Sequence, residues 1–110
     1  WDFFPAEDDW GIIPCWGFAT VIQSKNTAIV EGEKVYGYFP MSTYLKIEAG
    51  QINTYSFSDI AAHRQPMASI YNTYTRLGME IKYPEKIQDY VPIFQPLFAT
   101  SFLNYHFLEI

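Results

Sequence analysis

The residues best suited to chemistry are two tyrosines and an amide in the run YNTY, which holds Tyr71, Asn72 and Tyr74. A tyrosine hydroxyl can donate a hydrogen bond to a carbonyl group or act as a general acid. At positions i and i+3 of a helix, Tyr71 and Tyr74 would share one face, and Asn72 would point elsewhere. The alternative is that these rings pack the core with their hydroxyls at its rim, and the pattern by itself favours that interpretation.

Other kinds of site lack the residues that they need. A zinc site takes three or four closely spaced ligands, whereas Cys15, His63 and His106 are far apart in the chain, so we expect no metal. The sequence has no G-x-S-x-G elbow for a nucleophile, and we interpret His63 as a loop residue and His106 as a packing histidine. It has neither G-x-G-x-x-G nor a P-loop, so a dinucleotide would find no main phosphate site in these residues.

The elements that would position these side chains are β-rich to about residue 57 and α-rich afterwards. Propensity and alternation predict strands at 17–25, 34–40, 42–50 and 51–59. Gly32 should take the strained corner of the turn before the second of these strands.

Helical spacing predicts a helix over 66–78 with Gly78 as its C-cap, and a further helical pattern begins at Pro84. Pro92 and Pro96 predict a break near 91–96 and a second helix from about Leu97. That last helix is apolar on every side, so we expect it to be buried on every side, under a covering part that these residues do not supply. Both ends look cut, which suggests a segment of a longer protein.

Composition narrows the classes of partner. Aromatic residues make up 19% of the chain and the net charge is -5, which argues against nucleic acid and anionic membranes. No stretch approaches the length of a spanning helix, and no signal peptide is recognisable. The single cysteine, Cys15, indicates a reducing cytoplasm and is expected to be a small buried hydrophobe.

Several motifs in order carry a family resemblance. The run WGFATVIQSKNTAIVEGEKVYGYFPMSTYLKI resembles the GroES-like catalytic domain of medium-chain dehydrogenases/reductases, with VEGEKV (30–35) as its V-G-D-R-V-like turn. The segments WDFFP, PCWGFA, GEKVYGYFPM, YNTY and PLFATSF more closely resemble a bacterial family of unassigned function at the fringe of that superfamily.

This resemblance has three implications. Zinc-dependent members carry Gly-His-Glu where this chain has Gly17, Phe18 and Ala19, so the chain resembles the zinc-free, quinone-reductase-like branch. The superfamily places a Rossmann domain directly after this one, which would explain the missing phosphate loop. Thr100 and Ser101 lie where such enzymes run a helix under the cofactor, so they are candidate cofactor-binding residues.

Together these points predict a β-rich α+β fold, a GroES-like partial barrel followed by C-terminal helices. Residues 1–80 would form the substrate-side domain, lacking its N-terminal part, and 81–110 would lead to an absent dinucleotide-binding domain. The expected function is the substrate-side portion of a zinc-independent, NADPH-dependent oxidoreductase acting on a carbonyl, enone or quinone-like molecule. Tyr38, Tyr71 and Asn72 are the candidate catalytic residues. The alternative is a non-catalytic binding or scaffold module, and a homodimer is left open.

Overall fold

The structure, a computed structural model, describes residues 3–78 and 89–108. Its main element is one antiparallel sheet of five strands in the order β1-β2-β5-β4-β3. The strands are β1 (Pro14–Thr20), β2 (Lys34–Pro40), β3 (Ala49–Gly50), β4 (Ser56–Asp59) and β5 (Thr73–Gly78). The predicted β-rich α+β class is therefore confirmed at the level of a sheet with a C-terminal helix.

β1 and β2 form the best-predicted part of the sheet. They pair from Pro14 opposite Pro40 to Thr20 opposite Lys34, and β2 has the predicted bounds. β1 begins and ends earlier than the predicted 17–25. Just after its end, the N–H of Val21 donates to the carbonyl of Glu33, in the segment before β2, at 2.8 Å. Gly32 has a φ of 89°, so its predicted role at the corner is confirmed.

The two long strands predicted over 42–59 are wrong, because only Ala49–Gly50 and Ser56–Asp59 pair. Local side-chain hydrogen bonds interrupt the rest. The carboxamide oxygen of Asn53 accepts from the N–H groups of Tyr55 and Ser56 at 2.8 and 2.9 Å, which makes a turn where a strand was expected. Strand propensity loses to turn geometry in this stretch.

The helix predicted over 66–78 is wrong beyond its first turn. A single helical turn, α1 (Ser69–Asn72), leads straight into β5, so Tyr71 lies in a helix and Tyr74 lies in a strand. β5 pairs with both β2 and β4, and those two ladders override the helical spacing of the apolar residues. Gly78, with φ of 76°, ends a strand and does not cap a helix.

The C-terminal helix, α2 (Val91–Leu108), is continuous, so the predicted break at 91–96 is wrong. Pro92 lies in its first turn, where a missing N–H costs no hydrogen bond, and Pro96 is accommodated inside it. The helical pattern predicted from Pro84 falls partly outside the described residues.

α2 contacts β1, and none of its described residues is buried, so the covering part expected for this helix stays a prediction. His106 is exposed and stacks on Phe102, with ring centroids 5.6 Å apart. No described helix combines the length and apolar character that crossing a membrane requires. The cytoplasmic location stays a prediction.

The core lies under the middle of the sheet, around Val35, Phe57 and Tyr74. Gly37 is needed there because the ring of Tyr74 lies directly over it, and a Cβ atom would lie 2.8 Å from Cε1 of that ring. Cys15 is exposed, so its expected burial is wrong.

An ion pair between Arg76 of β5 and Glu33 fastens the loop before β2 to the sheet. Nη2 of Arg76 donates to Oε2 of Glu33 at 3.0 Å and to the carbonyl of Ala28 at 2.8 Å. The hydrogen bonds from Arg76 lower the pKa of Glu33 despite the burial of its carboxylate, and they raise the pKa of Arg76. Both residues stay charged near neutral pH.

Candidate functional site

The sheet has two faces with different surroundings. Successive strand residues point to opposite faces, so Tyr38 and Phe39 cannot serve the same one. We call the side that carries Trp16, Tyr36 and Tyr38 the ring face. The other side, which carries Val35 and Phe39, is the cleft face.

On the ring face, the structure brings together two of the predicted catalytic residues, Tyr38 and Tyr71. Their ring centroids are 5.0 Å apart at an interplanar angle of 69°. The centroids of the Trp16 and Phe3 rings lie 5.0 and 5.3 Å from that of Tyr38, so both rings pack against it. Burial raises the pKa of Tyr38, with Tyr71 and Cys15 adding to it, so its phenol stays protonated.

Arg64 is fully buried, and its guanidinium lies over the rings of Phe4 and Tyr74, 5.0 and 5.6 Å from their centroids. Its guanidinium donates to Oδ2 of Asp59 at 3.1 Å, to Oδ1 of Asn72 at 3.0 Å and to the hydroxyl of Tyr74 at 2.7 Å. It also donates to the carbonyl of Tyr71 at 2.6 Å. Nothing in the sequence around Arg64 separates it from a surface arginine.

The hydrogen bonds around Arg64 also involve Asn72, the third predicted catalytic residue, and together they form a buried network. Oδ1 of Asn72 accepts from Nε of Arg64, and its Nδ2 donates to the carbonyl of Arg64 at 2.7 Å. The hydroxyl of Tyr74 also donates to the carbonyl of Tyr38 at 2.7 Å, so the network supports the strand beneath the ring face. The amide of Asn72 is thus engaged in holding α1 against the buried arginine.

The predicted cofactor residues Thr100 and Ser101 lie on α2 and are exposed. The hydroxyl of Thr100 donates to the carbonyl of Pro96 at 3.0 Å, one turn earlier in the same helix. Within residues 3–78 and 89–108, no three His, Cys, Asp or Glu side chains form a group that could hold a metal ion. His63 is exposed in a single 3-10 turn, Ala62–Arg64.

The cleft face borders a cleft of about 1210 Å³. Its floor consists of the side chains of Val35, Phe39 and Phe57, which belong to or pack against the core. Segments 20–26 and 41–45 form its walls. An apolar floor between two loops is a common setting for a small-molecule site.

Polar groups in this cleft are few. The thiol of Cys15 and the side chains of Ser42, Tyr44 and Lys25 are among the lining groups. Tyr44 is 73% exposed, so its hydroxyl is open to solvent or to a ligand. Strand propensity predicts a strand over 42–50, so the wall formed by 41–45 is not evident from the sequence.

A family model matches residues 1–109, and its description is a protein of unknown function, DUF2855. The chain belongs to the DUF2855 family. Comparison of this DUF2855 chain with curated proteins and with solved structures gives no match. The predicted resemblance to a family of unassigned function is confirmed to that extent.

In this DUF2855 chain, the five predicted site residues do not form one site. Tyr38 and Tyr71 meet on the ring face, while Asn72 belongs to the buried network below it. Thr100 and Ser101 are on α2. None of the five lines the cleft, and their catalytic and cofactor roles stay predictions.

Proposed function

We propose that this chain supplies the substrate-binding portion of a zinc-independent, NADPH-dependent oxidoreductase acting on a carbonyl, enone or quinone-like small molecule. The observation that carries the proposal is the apolar cleft of about 1210 Å³ on one face of the sheet. Ligand sites of about 300–1,000 Å³ bury most of a drug-sized molecule, so this cleft has room for such a substrate.

The lining of the cleft suits a flat apolar carbonyl compound. The ring of Phe39 and the exposed side chain of Ile22 would contact its body, since aromatic and aliphatic side chains bury large apolar areas. The hydroxyl of Tyr44 could then donate a hydrogen bond to the carbonyl oxygen and polarise it. Tyr44 is therefore the residue that we place at the reacting oxygen, in the catalytic role predicted for Tyr38.

The relationship to medium-chain reductases belongs to this proposal. An antiparallel sheet with an apolar interior is compatible with a GroES-like partial barrel. Phe18 stands where the zinc-dependent members have a histidine ligand, and a phenyl ring cannot bind a metal ion. The sheet supports the relationship to the superfamily, and Phe18 supports its zinc-free branch.

The described residues do not fit NADPH by themselves. Thr100 and Ser101 are exposed on α2, and no glycine-rich loop accompanies them to hold phosphates. A cofactor would have to be held mainly by other parts of the protein, so the role proposed for this chain is to bind and orient the substrate.

A non-catalytic binding module is the second candidate. It is favoured by the same separation of the predicted cofactor residues from the cleft. The two candidates share a ligand-binding cleft and differ in whether ligand and cofactor meet.

Benzophenone tests the shared step, because it is an apolar aromatic ketone that attaches to nearby C–H bonds when illuminated. We expect labelling on segment 41–45, where Met41 lines the cleft and is 67% exposed. Ala19→Phe, which places a ring in the cleft, should abolish that labelling. Ala62→Phe, at an exposed position outside the cleft, is the matched control and should leave it unchanged.

Labelling spread over the ring face or α2, and insensitive to Ala19→Phe, would contradict a substrate site in the cleft. Oxidation of NADPH that depends on an added ketone, measured in the full natural protein that carries this chain, would then separate the candidates. Turnover supports the reductase, and labelling of the cleft without turnover supports the binding module.

A further inference from the structure

The charged groups that line the cleft are of one sign. Lys25 lines it, and no acidic residue from the described part of the chain does so. This contrasts with the whole chain, which carries a net charge of -5. A lone ammonium group in an otherwise neutral lining favours a ligand with a negative charge.

The loop that carries Lys25 has a defined shape. The hydroxyl of Ser24 donates to the carbonyl of Asn26 at 3.0 Å and accepts from its N–H at 3.1 Å. Oδ1 of Asn26 in turn accepts from the N–H of Ala28 at 2.9 Å. These bonds fix the backbone on both sides of Lys25, so the lysine extends from a constrained position at the cleft wall.

The ammonium group of Lys25 is uncommitted within residues 3–78 and 89–108, where it has neither an ion pair nor a hydrogen bond. Other cations near the sheet are engaged. Arg64 and Arg76 are held by carboxylates, and Lys34 donates to the hydroxyl of Thr20. Lys25 is thus the cation in the cleft lining that a ligand could recruit without breaking an existing contact.

We infer that the cleft binds an amphipathic monoanion, whose apolar body lies on Phe39 and Ile22 and whose carboxylate pairs with Lys25. The inference rests on the proposed function and narrows it to carbonyl or quinone-like compounds that also carry a carboxylate. A single ammonium group matches one negative charge, and the acidic surface elsewhere disfavours a dianion such as a phosphate ester.

Three ketones of one shape test the inference: benzophenone, para-benzoylbenzoate and the methyl ester of para-benzoylbenzoate. The acid carries the charge, and its ester is the neutral control of similar size. We expect the acid to bind roughly two- to tenfold more tightly than its ester at low salt, the range of an exposed ion pair. High salt should reduce the difference.

Lys25→Gln should remove the preference for the acid and leave the affinity for benzophenone unchanged. Lys46→Gln is the matched control, because it removes the same charge from an exposed residue close to the same wall but outside the lining. All three ketones are photoreactive, so dissociation constants should be measured in the dark by isothermal titration calorimetry, and photolabelling then identifies where benzophenone attaches.

Two negative results have different meanings. If benzophenone labels the cleft but the acid and the ester bind equally tightly, or if Lys25→Gln and Lys46→Gln act alike, the inference is overturned and the proposed function stands. If none of the three ketones binds the cleft of a folded protein, the proposed function fails and the inference fails with it.

Discussion

The two faces of the sheet use the same kinds of side chain for different purposes. On the ring face, aromatic rings contact one another at centroid distances near 5 Å, above a buried ion pair whose polar atoms have partners. On the cleft face, apolar side chains border an open volume of about 1210 Å³. A filled aromatic surface stabilises the fold, whereas an apolar surface left open is available for a ligand.

Adjacent residues of β2 therefore have different expected roles. Tyr38 points into the ring cluster and Phe39 lines the cleft, although both are aromatic and neighbours in sequence. The difference shows that residue type alone is a poor guide to a site in this chain. The face of the strand on which a residue lies determines whether it packs in the rings or lines the cleft.

Breaking the ion pair beneath the ring face should have the largest effect on stability. Arg64→Met leaves the carboxylate of Asp59 buried without its cation, and we expect unfolding to become easier by about 3–5 kcal/mol. Urea denaturation measures the loss. Arg64→Lys keeps a charge but loses the planar fork, so it should fall between the wild type and the methionine variant. Equal losses from both variants would contradict a role for the charge.

A smaller loss of stability is expected from Gly37→Ala, because Gly37 packs against the core residue Tyr74. The added Cβ would collide with the ring of Tyr74, an overpacking that costs about 1–3 kcal/mol. Gly17→Ala is the matched control, because Gly17 pairs with Gly37 across the strands and a Cβ there meets nothing within 4 Å. Similar stabilities for the two variants would show that Tyr74 moves aside at no cost.

Sequence reasoning succeeded where one local cause dominates. The bounds of β2 and the corner at Gly32 follow from propensity, a terminal proline and the freedom of glycine at positive φ. It failed at β5, because the pattern over 66–78 fits a helix until β2 and β4 are in place on either side. It missed Arg64 because the burial of a cation depends on Asp59 and Asn72, which only the fold brings together.

The second ion pair, between Arg76 of β5 and Glu33, should give a pH dependence. The folded-state pKa of Glu33 is lowered from 4.5, so its stabilising effect is present above about pH 4.5 and is lost as the pH falls through the lower folded value. Glu33→Gln should cost roughly 1–2 kcal/mol at neutral pH, in the range of a charged hydrogen bond that is partly exposed.

That Glu33→Gln variant should also lose less stability than the wild type between neutral pH and pH values below 4.5. Urea midpoints at several pH values measure both effects. Parallel pH profiles for the two proteins would assign the acid sensitivity to other carboxylates.

The smallest change in stability is expected from a substitution on the ring face, which also tests which face holds the ligand. Tyr38→Phe removes only a hydroxyl from a half-buried ring, and we expect a change within about 0.5 kcal/mol. Affinity for benzophenone should also be unchanged, whereas Tyr44→Phe should weaken it. The reverse result would restore Tyr38 as the residue that contacts the substrate and would move the site to the ring face.

The strand order has a consequence for how the chain is made. β2 needs β5 as its second neighbour, and the bond from the Tyr74 hydroxyl to the Tyr38 carbonyl spans 36 residues. At about 5–20 residues per second, a ribosome takes roughly two to seven seconds to deliver that partner. During this interval one edge of β2, with its valine and aromatic residues, can pair with another nascent chain. Crowded synthesis therefore increases the exposure of this edge to other chains before β5 covers it.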